Sequence, residues 1–157
     1  MDWDALWNAL RVELHSFAQE VRSSVPSLEV SVMRGPSTQV APFLANVEFG
    51  FPSRYNPTPW GVDLIVQIAC GLVGRMGLRN DDGRPYSIPA NATGRYAFKC
   101  ELERGNGELI SGLTPIILPA DPESDDFQRV AEAFVSRSIG FCRSQIPVIV
   151  KTLATHA

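Results

Sequence analysis

The chain has 157 residues, 45% of them hydrophobic and 20% charged, with a formal net charge of -3. That length fits one domain over residues 1–157, and the composition is too apolar for a disordered chain. The acidic balance excludes a binder that works by neutralising phosphates, which needs a dense cationic face, so no nucleic-acid partner is expected.

Lys99 and Lys151 are the only lysines among 14 basic residues, an arginine bias that points to a GC-rich bacterial genome. The start, Met1-Asp2-Trp3-Asp4, is acidic and runs into an amphipathic pattern, unlike a secretory leader. The longest apolar stretch, residues 62–73, is broken by Asp63, Gln67 and Gly71 and reads as a buried strand. A cytoplasmic protein without a membrane partner is the expectation. Cys70, Cys100 and Cys142 are odd in number and far apart, which suits buried thiols in a reducing compartment.

The first predicted element is a helix. Trp3, Leu6, Trp7, Leu10, Leu14, Phe17 and Val21 recur at steps of three and four residues, and Ser23, Ser24 and Pro26 end the pattern. Strands follow. Leu28, Val30 and Val32 alternate with Glu29, Ser31 and Met33; Val47, Phe49 and Phe51 alternate with Asn46, Glu48 and Gly50. Val62, Leu64, Val66, Ile68 and Cys70 form a third strand whose other face is only half polar, which predicts a central position. Tyr96, Phe98, Cys100 and Leu102 form a fourth, with Ala97, Lys99, Glu101 and Glu103 turned the other way. Gly105-Asn106-Gly107 predicts a tight hairpin into a fifth strand over residues 108–118, and Pro115 predicts an edge or a bulge in it.

The acid-rich stretch at residues 121–126 suits the positive end of a second helix, whose apolar face is Phe127, Val130, Ala131, Phe134, Val135, Ser138 and Phe141. Pro147 predicts a kink or an end near Ser144. The fold class is therefore α+β: an antiparallel sheet of about five strands flanked by an N-terminal and a C-terminal helix. Two long connections, residues 53–61 and residues 74–94, stand out, and connections of such length are functional or disordered.

Little in the chain supports catalysis. Histidine occurs only at His15, on the flank of the first helix, and at His156. A nucleophile–histidine hydrolase is thus improbable, and no Gly-x-Ser-x-Gly elbow occurs. Three scattered cysteines do not make a zinc site, and Asn80-Asp81-Asp82-Gly83 lacks the spacing of a calcium loop; no metal and no cofactor are expected. Glu101 and Glu103 lie about 7 Å apart on one strand face, which could serve acid–base chemistry but is better explained as solvated charge.

These exclusions leave a non-enzymatic protein-binding module. By analogy of size and fold, an immunity protein neutralising a toxin, or a secretion chaperone holding a secreted effector, is built in this way. Aromatic and arginine side chains in loops are common interface anchors, so Tyr55, Trp60, Arg84 and Tyr86 are candidate partner-binding residues. The acids Asp81, Asp82, Asp121, Glu123, Asp125 and Asp126 complete the set, and charge reversal at Asp125 and Asp126 is expected to weaken binding. The alternative is a small-molecule binding protein or enzyme. Its pocket would lie between sheet and helices, lined by Phe49, Val66 and Phe98, with Arg75, Arg79 or Arg84 holding an anion. A homodimer formed by helix pairing through Trp3 and Trp7 is a third arrangement.

Overall fold

Asp2 starts the first helix, its carboxylate accepting from the Ala5 N–H at 3.0 Å, and Asp4 and Arg22 complement the two ends of the helix dipole. The resulting α1 runs Trp3–Ser24 and buries Leu6, Leu10, Leu14, Phe17, Ala18 and Val21. The computed structural model describes residues 1–52 and 62–155. Tyr55, Trp60 and His156, with the connection over residues 53–61, lie outside the described residues.

Strands β1 (Glu29–Arg34), β2 (Phe43–Gly50), β3 (Leu64–Leu72), β4 (Tyr96–Arg104), β5 (Leu109–Gly112) and β6 (Ile116–Ile117) form one sheet in the order β1-β2-β3-β4-β5, with β6 also pairing β4. Every pairing is antiparallel. The expected single fifth strand is split: β5 pairs with the end of β4 through a register shift between Leu102 and Glu103, and β6 pairs with its start. Pro115, which has no N–H for the ladder, lies in the gap between them. At the β4–β5 hairpin the positive φ expected of Asn-Gly falls on Gly107 alone, at +90°. Asn106 instead uses its side chain to accept from the Glu108 N–H at 3.0 Å. A Cβ at Gly105 would meet the Val62 carbonyl oxygen at 1.8 Å, so only glycine fits where this hairpin crosses the start of β3.

Helix α2 (Asp125–Ala154) is capped by Ser124, which accepts from the Phe127 N–H at 3.1 Å. It does not end near Ser144 but continues through Pro147 to Ala154. Pro147 is exposed, while Ile149 and Leu153 beyond it are fully buried, so packing of the last turns outweighs the lost backbone bond. Both helices lie side by side on one face of the sheet, α1 over β1 and β2, α2 over β3 and β4.

Alternation delivers Val47, Phe49, Leu64, Val66, Phe98, Cys100 and Leu102 to the helix-covered face, all buried. Aromatic rings fill the space between the layers. Trp3 stacks on Phe43 at 5.8 Å, Phe98 lies 5.3 Å from Phe134, and Phe17 meets Phe49 edge-on at 5.8 Å. Phe49, Val66 and Phe98, expected to line a pocket in the alternative reading, are core residues here. Trp3 and Trp7 pack half-buried against the same core. The three cysteines are free and buried, and burial raises the pKa of Cys70 and Cys100. Among the described residues no helix is long and apolar enough to cross a membrane.

Candidate binding face

The outer face of the sheet, away from the helices, carries the chemistry. Register aligns its side chains in cross-strand rows: Met33, Asn46, Gln67, Glu101 and Gly112 form one, and Ser31, Glu48, Ile65, Glu103 and Leu109 the next. The long connection after β3 divides this face in two. Its Met76 and Leu78 pack on Ala69 and Ala97, with Leu44, Tyr86 and Ile117 around them. Between them and β4, Lys99 donates to the Met76 carbonyl at 3.0 Å. The connection therefore holds a defined structure over β3 and β4, with a short finger closed by the Tyr86 N–H to Leu78 carbonyl and Asn80 N–H to Arg84 carbonyl bonds.

Arg79 fastens this cover. Its Nε donates to Glu101 Oε2 at 2.6 Å, its Nη2 to Glu103 Oε2 at 2.7 Å and its Nη1 to the Gly107 carbonyl at 3.0 Å. The hydrogen bond it donates to Glu101 holds the guanidinium pKa above its ordinary value. This corrects the expectation of solvated charge at Glu101 and Glu103: Glu101 is only 3% exposed and Glu103 is half-buried. The alternation of the strand was read correctly, but nothing local in the sequence announces that a segment some twenty residues away returns to cover it.

Burial, with the neighbouring Glu101 charge, raises the Glu103 pKa, and Arg79 and Lys99 offset this only in part. The folded state therefore holds the Glu103 proton more tightly than the unfolded chain does. That contribution to stability is full below the unfolded carboxyl pKa of about 4.3 and is lost as pH rises through the folded value. Glu103→Gln is expected to gain stability relative to the unaltered chain as pH rises from 4 to 7, measured by urea unfolding at each pH. A gap that shrinks with pH would mean that pairing with Arg79 outweighs burial.

The other half of the outer face, over β1, β2 and part of β3, has no cover among the described residues. Met33 is 40% exposed, Ser31 and Glu29 are exposed, and β1 pairs only with β2. Among the described residues three buried side-chain oxygens lack a hydrogen-bond donor: Asn46 Oδ1, Asp63 Oδ2 and Glu101 Oε1. Strand alternation puts Asn46 on this uncovered half and Glu101 on the covered one beneath Arg79, while Asp63 precedes β3 and lines a cleft with Arg104, Asn106 and Thr152 of α2. Glu101 Oε1 has Lys99 Nζ at 3.4 Å, an ion pair without an aligned hydrogen bond. Glu29 and Glu48 have no ion partner among the described residues. At the β1–β2 end the face runs into an open cleft of about 390 Å³ lined by Arg22, Glu29, Ser31, Glu48 and Gly50.

The candidate residues read from the sequence divide between the two sides of the sheet. Asp81, Asp82 and Arg84 form the exposed tip of the finger, on the outer side, where Asp82 accepts from the Arg84 N–H at 2.9 Å. Tyr86 is half-buried in the small apolar patch beneath it. Asp121, Glu123, Asp125 and Asp126 lie at the start of α2, on the helix side and by the other end of β4. There Asp121 accepts from the Glu123 N–H, Glu123 pairs with the Met1 ammonium at 3.3 Å, and Asp126 pairs with Arg129 at 3.0 Å. The two acidic clusters are not brought together. Of the arginines considered for an anion, Arg79 is taken up by the carboxylates, Arg84 lies 3.7 Å from Asp82, and Arg75 is exposed. His15 is exposed on α1, and among the described residues no group of His, Cys, Asp and Glu could hold a metal ion. Asn46, Glu48 and Gln67 were legible only as outward members of strands. No protein family, curated protein or solved structure matches this chain.

Proposed function

We propose that this chain is a non-enzymatic protein-binding module that engages its partner through the uncovered outer half-face of β1–β3, as an immunity protein would hold a toxin or a secretion chaperone an effector. The observation that carries the reading is the uncovered half-face itself, where Met33 and Ser31 are exposed and Glu29 and Glu48 have no ion partner among the described residues. An exposed sheet face beside a two-stranded edge is a surface that another chain can cover. Further support comes from the interior, where packed rings occupy the space a small-molecule pocket would need. The acids at the start of α2 have local work in capping and ion pairing, which leaves the sheet as the better docking surface.

The test is recovery of bound protein on the tagged chain from its host, using two variants. Met33→Arg with Ile65→Arg places bulk and charge on the face, and Asp125→Lys with Asp126→Lys reverses the start of α2. A stoichiometric partner should be retained by the unaltered chain and by the α2 variant and lost from the face variant. Loss from the α2 variant alone would move docking to the helix start. A persistent small-molecule adduct in native mass spectra, with no protein partner, would overturn the reading in favour of a ligand-binding protein.

A further inference from the structure

We propose that two copies of this chain pair through β1, edge to edge and antiparallel, into one sheet that runs across both. β1 ends the sheet on one side, and its six residues follow β2 at every position from Glu29 to Arg34 without a bulge. The Gly35 N–H donates to the Leu44 carbonyl at 2.9 Å in register with that ladder, so Met33, Ser31 and Glu29 also turn their backbone N–H and C=O towards β2. Those of Val30, Val32 and Arg34 therefore point out of the sheet, and no hydrogen bond among the described residues reaches them. The opposite edge is closed. There β5 has four residues and β6 two, Pro115 lies between them, and the register shifts between Leu102 and Glu103. β1 carries none of these devices: it has no proline, and its one charge on the helix side, Arg34, is paired with Asp4.

The strand complements a second copy of itself. A two-fold axis through the edge must set residues of one sheet face opposite one another, which places it at a residue and not between two. With the axis at Ser31, Val30 lies opposite Val32 of the second copy, and the outward N–H and C=O of the two exchange hydrogen bonds. Val30 and Val32 are half-buried against the core, and pairing covers their remaining surface with each other. Glu29 falls opposite Met33 of the second copy, and the two Glu29 carboxylates stand about 14 Å apart, beyond a Debye length. Charge agrees as well. Asp4 lies at the Arg34 end of β1, while Arg22 lines a cleft with Glu29 at the other end, and neither Arg22 nor Glu29 has an ion partner among the described residues. The axis brings these ends together, so Arg22 and Glu29 of one copy meet Asp4 and Arg34 of the other. Pairing does not depend on the partner proposed above; it joins two uncovered half-faces side by side.

Sedimentation of the purified chain over a range of concentrations tests the pairing, with Ser31→Lys and Ser31→Glu as variants. Ser31 is exposed, so both should fold, and each puts like charges opposite one another at the axis. The unaltered chain is expected to reach twice its 17.2 kDa mass, and each variant alone to associate at least about ten-fold more weakly. An equal mixture of the two variants should regain the doubled mass, because lysine then faces glutamate. Val12→Lys, on the exposed side of α1, should associate like the unaltered chain. The Val30 and Val32 amides are expected to exchange about ten-fold more slowly in the unaltered chain than in Ser31→Lys, while the Met33 amide, turned towards β2, exchanges alike in both. An unaltered chain of 17.2 kDa at every concentration, full association of both variants, or a mixture that stays at the single mass would overturn the pairing. Association lost from Val12→Lys and kept by the Ser31 variants would put the contact on the helices and overturn it too.

Discussion

Replacing Arg79 with alanine is expected to lower the free energy of unfolding by about 3 kcal/mol, the lower end of what removing one partner of a buried ion pair costs. The loss is large because Glu101 is 3% exposed and cannot recover its solvation once the guanidinium is gone. Lys99, 3.4 Å from Glu101 Oε1, keeps the cost from rising further. Arg79→Lys should recover only part of it, since an ammonium cannot span Glu101, Glu103 and the Gly107 carbonyl as the guanidinium does. Urea unfolding measures the stability. Hydrogen exchange at the Tyr86 N–H, bonded to the Leu78 carbonyl, reports whether the finger has come loose. A loss below about 1 kcal/mol would place the clamp among ordinary surface pairs and detach the cover from the stability of the fold.

Phe98→Ala should cost about 4 kcal/mol, within the range for deleting a buried aromatic ring. Phe98 is fully buried near the start of β4 and lies against Phe134 of α2 at 5.3 Å, Phe43 of β2 at 6.2 Å and Trp3 of α1 at 6.2 Å. With Trp3, which meets Phe43, Phe98 and Phe127, it forms the ring cluster that joins both helices to the sheet. Its removal should therefore loosen α1 and α2 together. Far-UV circular dichroism and tryptophan fluorescence are expected to show one coincident, earlier transition. Separate transitions, or a loss under about 1.5 kcal/mol, would mean that the core closes around the gap and that the helices are held independently.

What could be read in the sequence is what local period determines. The α1 stripe from Leu6 to Val21, the inward alternation of Phe98, Cys100 and Leu102, and the central place of the half-apolar β3 all follow from spacing, because burial repeats with the period of the element. The split of the last strand was half visible, since Pro115 could be seen to break a ladder but not where pairing would resume. Pro147 misled because propensity acts locally, whereas Ile149 and Leu153 draw their burial from a sheet far away in sequence. The candidate site was the least legible part. Glu101, Glu103, Asn46 and Gln67 look like solvent-facing strand residues. Only the return of Arg79 from the long connection buries the first two, and only the cross-strand register puts Asn46 and Glu101 in one row. The loop acids and the acids of α2 stand out in the sequence by clustering, yet Asp82, Asp121 and Glu123 turn out to hold local turns and ends.

Methyl cross-saturation from a protonated partner into deuterated chain locates the partner on the outer face of the sheet or away from it. The face competes with a cleft of about 280 Å³ on the helix side, lined by Met1, Ala5, Ala9, Val135 and Ile139. Saturation is predicted to enter through the methyls of Met33 and Ile65. Entry through Val12, Val135 and Ile139, with Met33 and Ile65 unaffected, would place the partner on the helices and rule out the sheet face.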